Sequence, residues 1–119
     1  MDKIPPKVQN QLMMLQQVQQ QLQTVVGQKT QYEIAVKEGK RAQEELTDVE
    51  EDAEVFVNVG SVMMQQKKAK VEAMIADKIE TLELRIKSLE KQEKTLQNKF
   101  EQLQSQIKGA IEGKAPIET

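Results

Sequence analysis

The sequence predicts a mainly α chain: a long antiparallel helical coiled-coil hairpin with a short β-hairpin between its two helices. Three observations carry this. Two heptad runs have similar length, a β-branched stretch around Gly60 separates them, and proline or glycine signals mark their outer ends. In the second run Ile75, Ile79, Leu82, Ile86, Leu89, Glu93, Leu96, Phe100, Leu103, Ile107 and Ala110 alternate steps of four and three. Glu93 is the one charged residue among them, so the seam is nearly continuous and apolar, as a coiled coil requires. The first run repeats the stepping through Val8, Gln11, Leu15, Val18, Leu22, Val25, Lys29, Tyr32, Val36, Gly39, Gln43 and Leu46, a seam diluted by amides and Lys29.

Taken in order, Pro5 and Pro6 suit a helix start, where a missing N–H costs nothing. No proline follows until after the second run, so the first helix is expected over about 6–47, ~60 Å at the standard rise. Gly27 and Gly39 each lower its stability by ~1 kcal/mol relative to alanine. Gly39 lies on the seam, where a close approach of the second helix and a simple weak spot are equally good explanations. Ten glutamines fall between Gln9 and Gln31, interleaved with apolar residues at heptad spacing, which reads as a polar, uncharged helix face.

The stretch Thr47 to Glu54 holds five acids and no base, a poor place for a helix to continue. Val55, Phe56, Val57, Val59 and Val62 crowd either side of Gly60-Ser61, which is strand chemistry around a turn. A β-hairpin is therefore expected over 54–66, and because an isolated hairpin is marginal in water it needs strands from other chains. The second helix follows over about 67–112, with Gly109 and Gly113 as stop signals and a loose tail over 113–119. The whole chain, 1–119, reads as a single unit. If the arms zip antiparallel, facing residues have numbers summing to about 115, which sets the start signals of one arm against the stop signals of the other.

Composition narrows the function. Lys and Arg number 17 against 19 Asp and Glu, so net charge does not suggest a nucleic-acid partner. The bases gathered in the second run alternate with acids at helical spacing, as in Glu83 and Lys87, the pattern of a solvated helix face. Cysteine and histidine are both absent, which removes thiolate chemistry, the commonest general base and the commonest metal ligands. No phosphate-binding loop, nucleophile elbow or cofactor signature is present. No catalytic residue, metal or cofactor is therefore assigned and the chain is not expected to be an enzyme. The opening residues lack a signal-peptide core and no stretch is apolar enough to span a bilayer, so a cytoplasmic location is expected.

Function then falls to apolar surface that a two-helix hairpin cannot cover. One candidate is the strand region, where Val55, Phe56, Val57, Val59, Val62, Met63 and Met64 exceed what two strands bury and imply contact with other subunits. The other is the outer end, where Ile4, Val8, Leu12, Met13, Met14 and Leu15 crowd opposite Ile107, Ala110 and Ile111. Methionine adapts its shape to varied apolar partners, so this end suits adaptable binding; a locally widened seam explains the same residues equally well.

The helix, the hairpin Asp52-Ala53-Glu54-Val55-Phe56-Val57-Asn58-Val59-Gly60-Ser61-Val62-Met63-Met64 and a heptad helix containing Leu89-Glu90-Lys91-Gln92-Glu93 together resemble the β-type subunits of archaeal prefoldins. The Pro5-Pro6-Lys7-Val8-Gln9 opening fits as well, and a single hairpin favours the β type over the α type, which carries two. Phe56 stands where the family often has tyrosine, keeping the apolar ring. The resemblance implies a hexamer of two α and four β subunits whose hairpins form a β-barrel body. It also implies coiled-coil tips that hold unfolded polypeptide and pass it to a group II chaperonin without ATP. On that resemblance Val8, Leu12, Met13, Leu15, Ile107 and Ile111 are assigned to client contact, and Val55, Phe56, Val57, Val59, Val62 and Met63 to assembly. A coiled-coil adaptor or tether for a folded partner is the alternative, but it gives no reason for the Val/Met hairpin.

Overall fold

The computed structural model describes residues 4–113, so the tail expected beyond Gly113 lies outside the described residues. The elements are α1 (Pro6–Thr47), β1 (Glu54–Val59), β2 (Val62–Lys67) and α2 (Lys68–Ile111). Two long helices thus flank one antiparallel hairpin. The chain divides into two compact units, a terminal unit of Met1–Gln28 with Ser88–Thr119 and a hairpin unit of Lys29–Lys87.

Helix α1 opens on Pro6, whose missing N–H falls among the donors that have no intrahelical partner anyway. Its first backbone bond runs from the Gln9 N–H to the Pro5 carbonyl at 3.0 Å. The helix closes without a glycine. Instead the Asp48 and Val49 N–H groups tighten onto the Glu45 and Leu46 carbonyls, and the Thr47 hydroxyl donates to the Glu44 carbonyl. Those bonds satisfy carbonyls that would otherwise be orphaned at a helix end.

The heptad positions are the ones that become buried. Every seam residue of α1 from Val8 to Leu46 is buried or half-buried, and in α2 the same holds from Ile75 to Ile107. Ala110 departs from the expectation and is exposed. Contacts in each unit give the reason, because residue numbers sum to 117 in the Gln11–Gln106 and Tyr32–Arg85 pairs. On that register Ala110 reaches the first turn of α1, where there is too little helix to cover it. The seam also extends further back than Ile75, to the buried Val71 and Lys68.

In the hairpin unit Val36, Ile79 and Leu82 form a buried cluster with Tyr32, Ala35, Ile75 and Ile86 packed against it. A Cβ on Gly39 would lie 2.9 Å from Ile79 Cγ1 and 3.1 Å from Ile79 Cδ1. Of the two explanations for this glycine, close helix approach is therefore the one realised. Gly27 has nothing within 4 Å of such a Cβ and is conformationally an ordinary helix weak spot.

The hairpin register pairs Glu54 with Lys67, Phe56 with Gln65, Val57 with Met64 and Val59 with Val62. The ladder runs one residue beyond the expected 66 because Lys67 stands opposite Glu54, a favourable cross-strand charge pair, and α2 starts at Lys68. The loop is Gly60-Ser61. Gly60 takes φ of +62° and, among the described residues, no non-glycine residue has positive φ, the pattern of a type II′ turn that matches strand twist.

Candidate functional site

The strand pairing sorts the assembly candidates onto two faces, because directly opposed residues share a face and alternate along each strand. Val55, Val57, Val59, Val62 and Met64 lie on one face, Phe56 and Met63 on the other. The first face looks over an open groove lined by Val55, Val57 and Val59 together with Leu46, Met74 and Ile75 of the helices. Val55 and Val57 are half-buried there, while Val59, Val62 and Met64 remain exposed. On the opposite face Phe56 is 57% exposed and Met63 66% exposed. A six-residue two-stranded ribbon with apolar side chains on both faces cannot bury itself, so both faces leave apolar surface exposed.

A buried lysine fixes where that ribbon departs. The Lys68 side chain is only 6% exposed, and its Nζ donates to the Val49 carbonyl at 2.6 Å and lies 3.6 Å from Glu51 Oε1. It ties the acidic connector to the first turn of α2, and the connector is further closed by the Ala53 N–H on the Glu50 carbonyl. A charged hydrogen bond of this kind contributes ~1.5–3 kcal/mol, most of it lost if the carbonyl is left buried and unpaired. Sequence reasoning missed Lys68, although continuing the four–three stepping back from Ile75 lands on it. Met74, which lines the groove, was missed because it lies off the seam and in no strand.

At the outer end of the terminal unit the six client-contact candidates separate by position. Val8 and Ile107 are buried in the seam and Leu15 is half-buried. Leu12 is partly exposed, Met13 is 68% exposed and Ile111 is 71% exposed. Met14, which the sequence already placed at this end, is also exposed. Leu15, Ile107 and Ile111 line one open groove with Gln104, Lys108 and Glu112. The buried members form the floor of this end and the exposed ones its solvent-facing surface. Direct contact by Val8 or Ile107 would require the seam to open.

In the hairpin unit the remaining helix surface is ordinary helix chemistry. Lys40 and Glu83 approach to 3.9 Å in solvent, a pair worth less than ~1 kcal/mol. The Arg85 guanidinium stands 5.8 Å from the Tyr32 ring centroid, within cation–π range. Among the described residues no group of three His, Cys, Asp or Glu side chains could hold a metal ion, and no helix is long and apolar enough to cross a membrane.

Comparison with known proteins gives one consistent result. A family model described as "Prefoldin subunit" matches residues 9–114. The chain is 69% identical to the prefoldin subunit beta of Methanoculleus marisnigri over 96% of its own length and 94% of that protein. It is 57% identical to the prefoldin subunit beta of Methanospirillum hungatei, over 96% of this chain and 95% of that one. Its fold superposes on the crystal structure of the prefoldin beta subunit from Thermococcus strain KS-1 with a TM-score of 0.83 and 43% identity, covering 92% of this chain and 96% of that chain. The helix–hairpin–helix order, the single β-hairpin and these matches agree, and the chain belongs to the prefoldin family of chaperones, as a β subunit of the archaeal type.

Proposed function

We propose that this chain acts as a subunit of an ATP-independent holdase. In this reading the hairpins join it to α-type and other β subunits in a hexamer of two α and four β chains, in the cytoplasm. The outer ends of the helices bind unfolded polypeptide and deliver it to a group II chaperonin. The observation that carries the reading is where exposed apolar side chains gather: Leu12, Met13, Met14 and Ile111 at the outer end, and Phe56, Val59, Val62, Met63 and Met64 on the hairpin. The first group suits transient contact and the second suits permanent burial between strands. Val8, Leu15 and Ile107 hold the outer end together beneath its contact surface, and Val55 and Val57 seat the hairpin on its own helices.

Each outer end offers only a small apolar area, so a single contact is weak. Several such ends on one body raise the effective concentration of each for the next client segment, giving firm but reversible holding without nucleotide. The test is light scattering as a denatured, unrelated protein is diluted into the assembled complex with no nucleotide present. Near-stoichiometric suppression, lost when about a dozen residues are trimmed from each end, is expected. Unchanged suppression by the trimmed complex would remove the outer ends from the mechanism.

A further inference from the structure

Between Val8 and Gln28 helix α1 carries no acidic or basic residue, so its surface there is amide, hydroxyl, thioether or hydrocarbon. Asn10, Met14, Gln17, Gln21, Thr24 and Gln28 recur at alternating steps of four and three, which places them in one stripe beside the seam. All six are exposed. Two open grooves follow the stripe and share Gln17 and Gln20, one reaching Asn10 and Met13, the other reaching Gln28 and the facing Lys91, Gln92 and Thr95 of α2. The stripe is therefore continuous from the exposed methionines inward along the terminal unit. Helix α2 of the same unit, by contrast, bears charges at Glu90, Lys91, Lys94, Lys99 and Glu101.

We propose that this stripe is a track for an extended, uncharged segment of unfolded polypeptide, beginning at Met13 and Met14 and continuing over the glutamine amides. The inference rests on the holdase reading and adds the class of client segment. Each glutamine amide presents the same donor and acceptor groups as a peptide bond, so it can pair with an unfolded main chain whatever the sequence. A basic client side chain laid on the stripe would lose water and find no countercharge, and an acidic one would meet Lys91 only at the inner groove. The methionine thioethers accommodate whichever apolar side chain arrives. From Asn10 to Gln28 the helix rises ~27 Å, enough for ~8 residues of extended chain.

The test uses the complex assembled with its α-type partner and a coumarin-labelled peptide of about a dozen Val, Thr, Asn and Leu residues. One variant places a net-neutral charge pair on the stripe, Gln17→Glu with Gln21→Lys. A control places the same pair on the other flank of the seam, Gln19→Glu with Gln23→Lys. Affinity for the peptide is expected to fall about tenfold, roughly 1.4 kcal/mol, in the stripe variant and to stay within about twofold in the control. Helix content and complex mass should not change in either. Equal affinities in wild type, stripe variant and control would overturn the track and leave the holdase reading standing. A stripe variant of altered mass would make the stripe a contact between subunits and also overturn it. Failure of the wild-type complex to bind either the peptide or a denatured protein would end the holdase reading itself, and the track with it.

Discussion

In the hairpin unit the helices meet through a buried aliphatic cluster, Val36, Ile79 and Leu82, and approach closely enough that Gly39 has no room for a Cβ beside Ile79. In the terminal unit the buried residues Val8, Val18, Val25, Leu89, Leu103 and Ile107 share the seam with amides. There the Gln11 Nε2 donates to Gln106 Oε1 at 3.4 Å, while the buried Gln11 Oε1 accepts no hydrogen bond among the described residues. One heptad rule thus yields two kinds of interface. The close aliphatic contact lies in the unit of the strands proposed to build the assembly, although Lys29 and Gln43 are also half-buried on that seam, and the amide pair stands where client contact is proposed.

Substitutions can break or sharpen that contrast. The largest effect is expected from Ile79→Ala, a cavity in the packed cluster that should cost ~2–5 kcal/mol. Leu103→Ala in the amide-diluted seam should fall near the lower end of that range, and chemical denaturation of both variants would show equal losses if the two seams were packed alike. Lys68→Met comes next, at ~1.5–3 kcal/mol, because it strands the Val49 carbonyl. Its signature is local, with faster hydrogen exchange at Ala53 and its neighbours than elsewhere in the hairpin unit.

The two glycines should respond with opposite signs. Gly27→Ala relieves a helix weak spot in open space and should stabilise by ~0.5–1 kcal/mol. Gly39→Val must displace Ile79 and should destabilise; thermal midpoints that rise in both would deny the close approach. The smallest effect belongs to the paired Gln11→Leu and Gln106→Leu exchange. It removes an unsatisfied acceptor together with its neighbour and should leave stability within ~1 kcal/mol of the parent or slightly above it.

The helices were legible because burial follows their period: each seam position named from Val8 to Leu46 is covered, and Ala110 escapes only where the facing helix has barely begun. The hairpin was legible because β-branched residues bracket the one glycine that takes the turn's positive φ. Its two apolar faces were not, since alternation assigns residues to faces only once the register of Val57 opposite Met64 is known. Lys68 was hidden for a different reason. A lysine is read as solvated by default, and only the carbonyl of Val49, placed by the end of α1, makes its burial favourable. At the outer end the sequence grouped Val8 and Ile107 with Met13 and Ile111 by proximity, whereas the heptad separates floor from surface.

The central claim is a division of labour between the exposed residues of the two units, and paired charge insertions test it most directly. Met13→Glu with Ile111→Glu and, separately, Phe56→Glu with Val62→Lys would each be mixed with the α-type partner. Complex mass and suppression of client scattering would then be measured on the same samples. The account predicts that the Met13/Ile111 variant assembles at full mass but suppresses poorly, and that the Phe56/Val62 variant fails to reach full mass. A Phe56/Val62 variant that assembles normally, or a Met13/Ile111 variant that holds client as well as the parent, would contradict it.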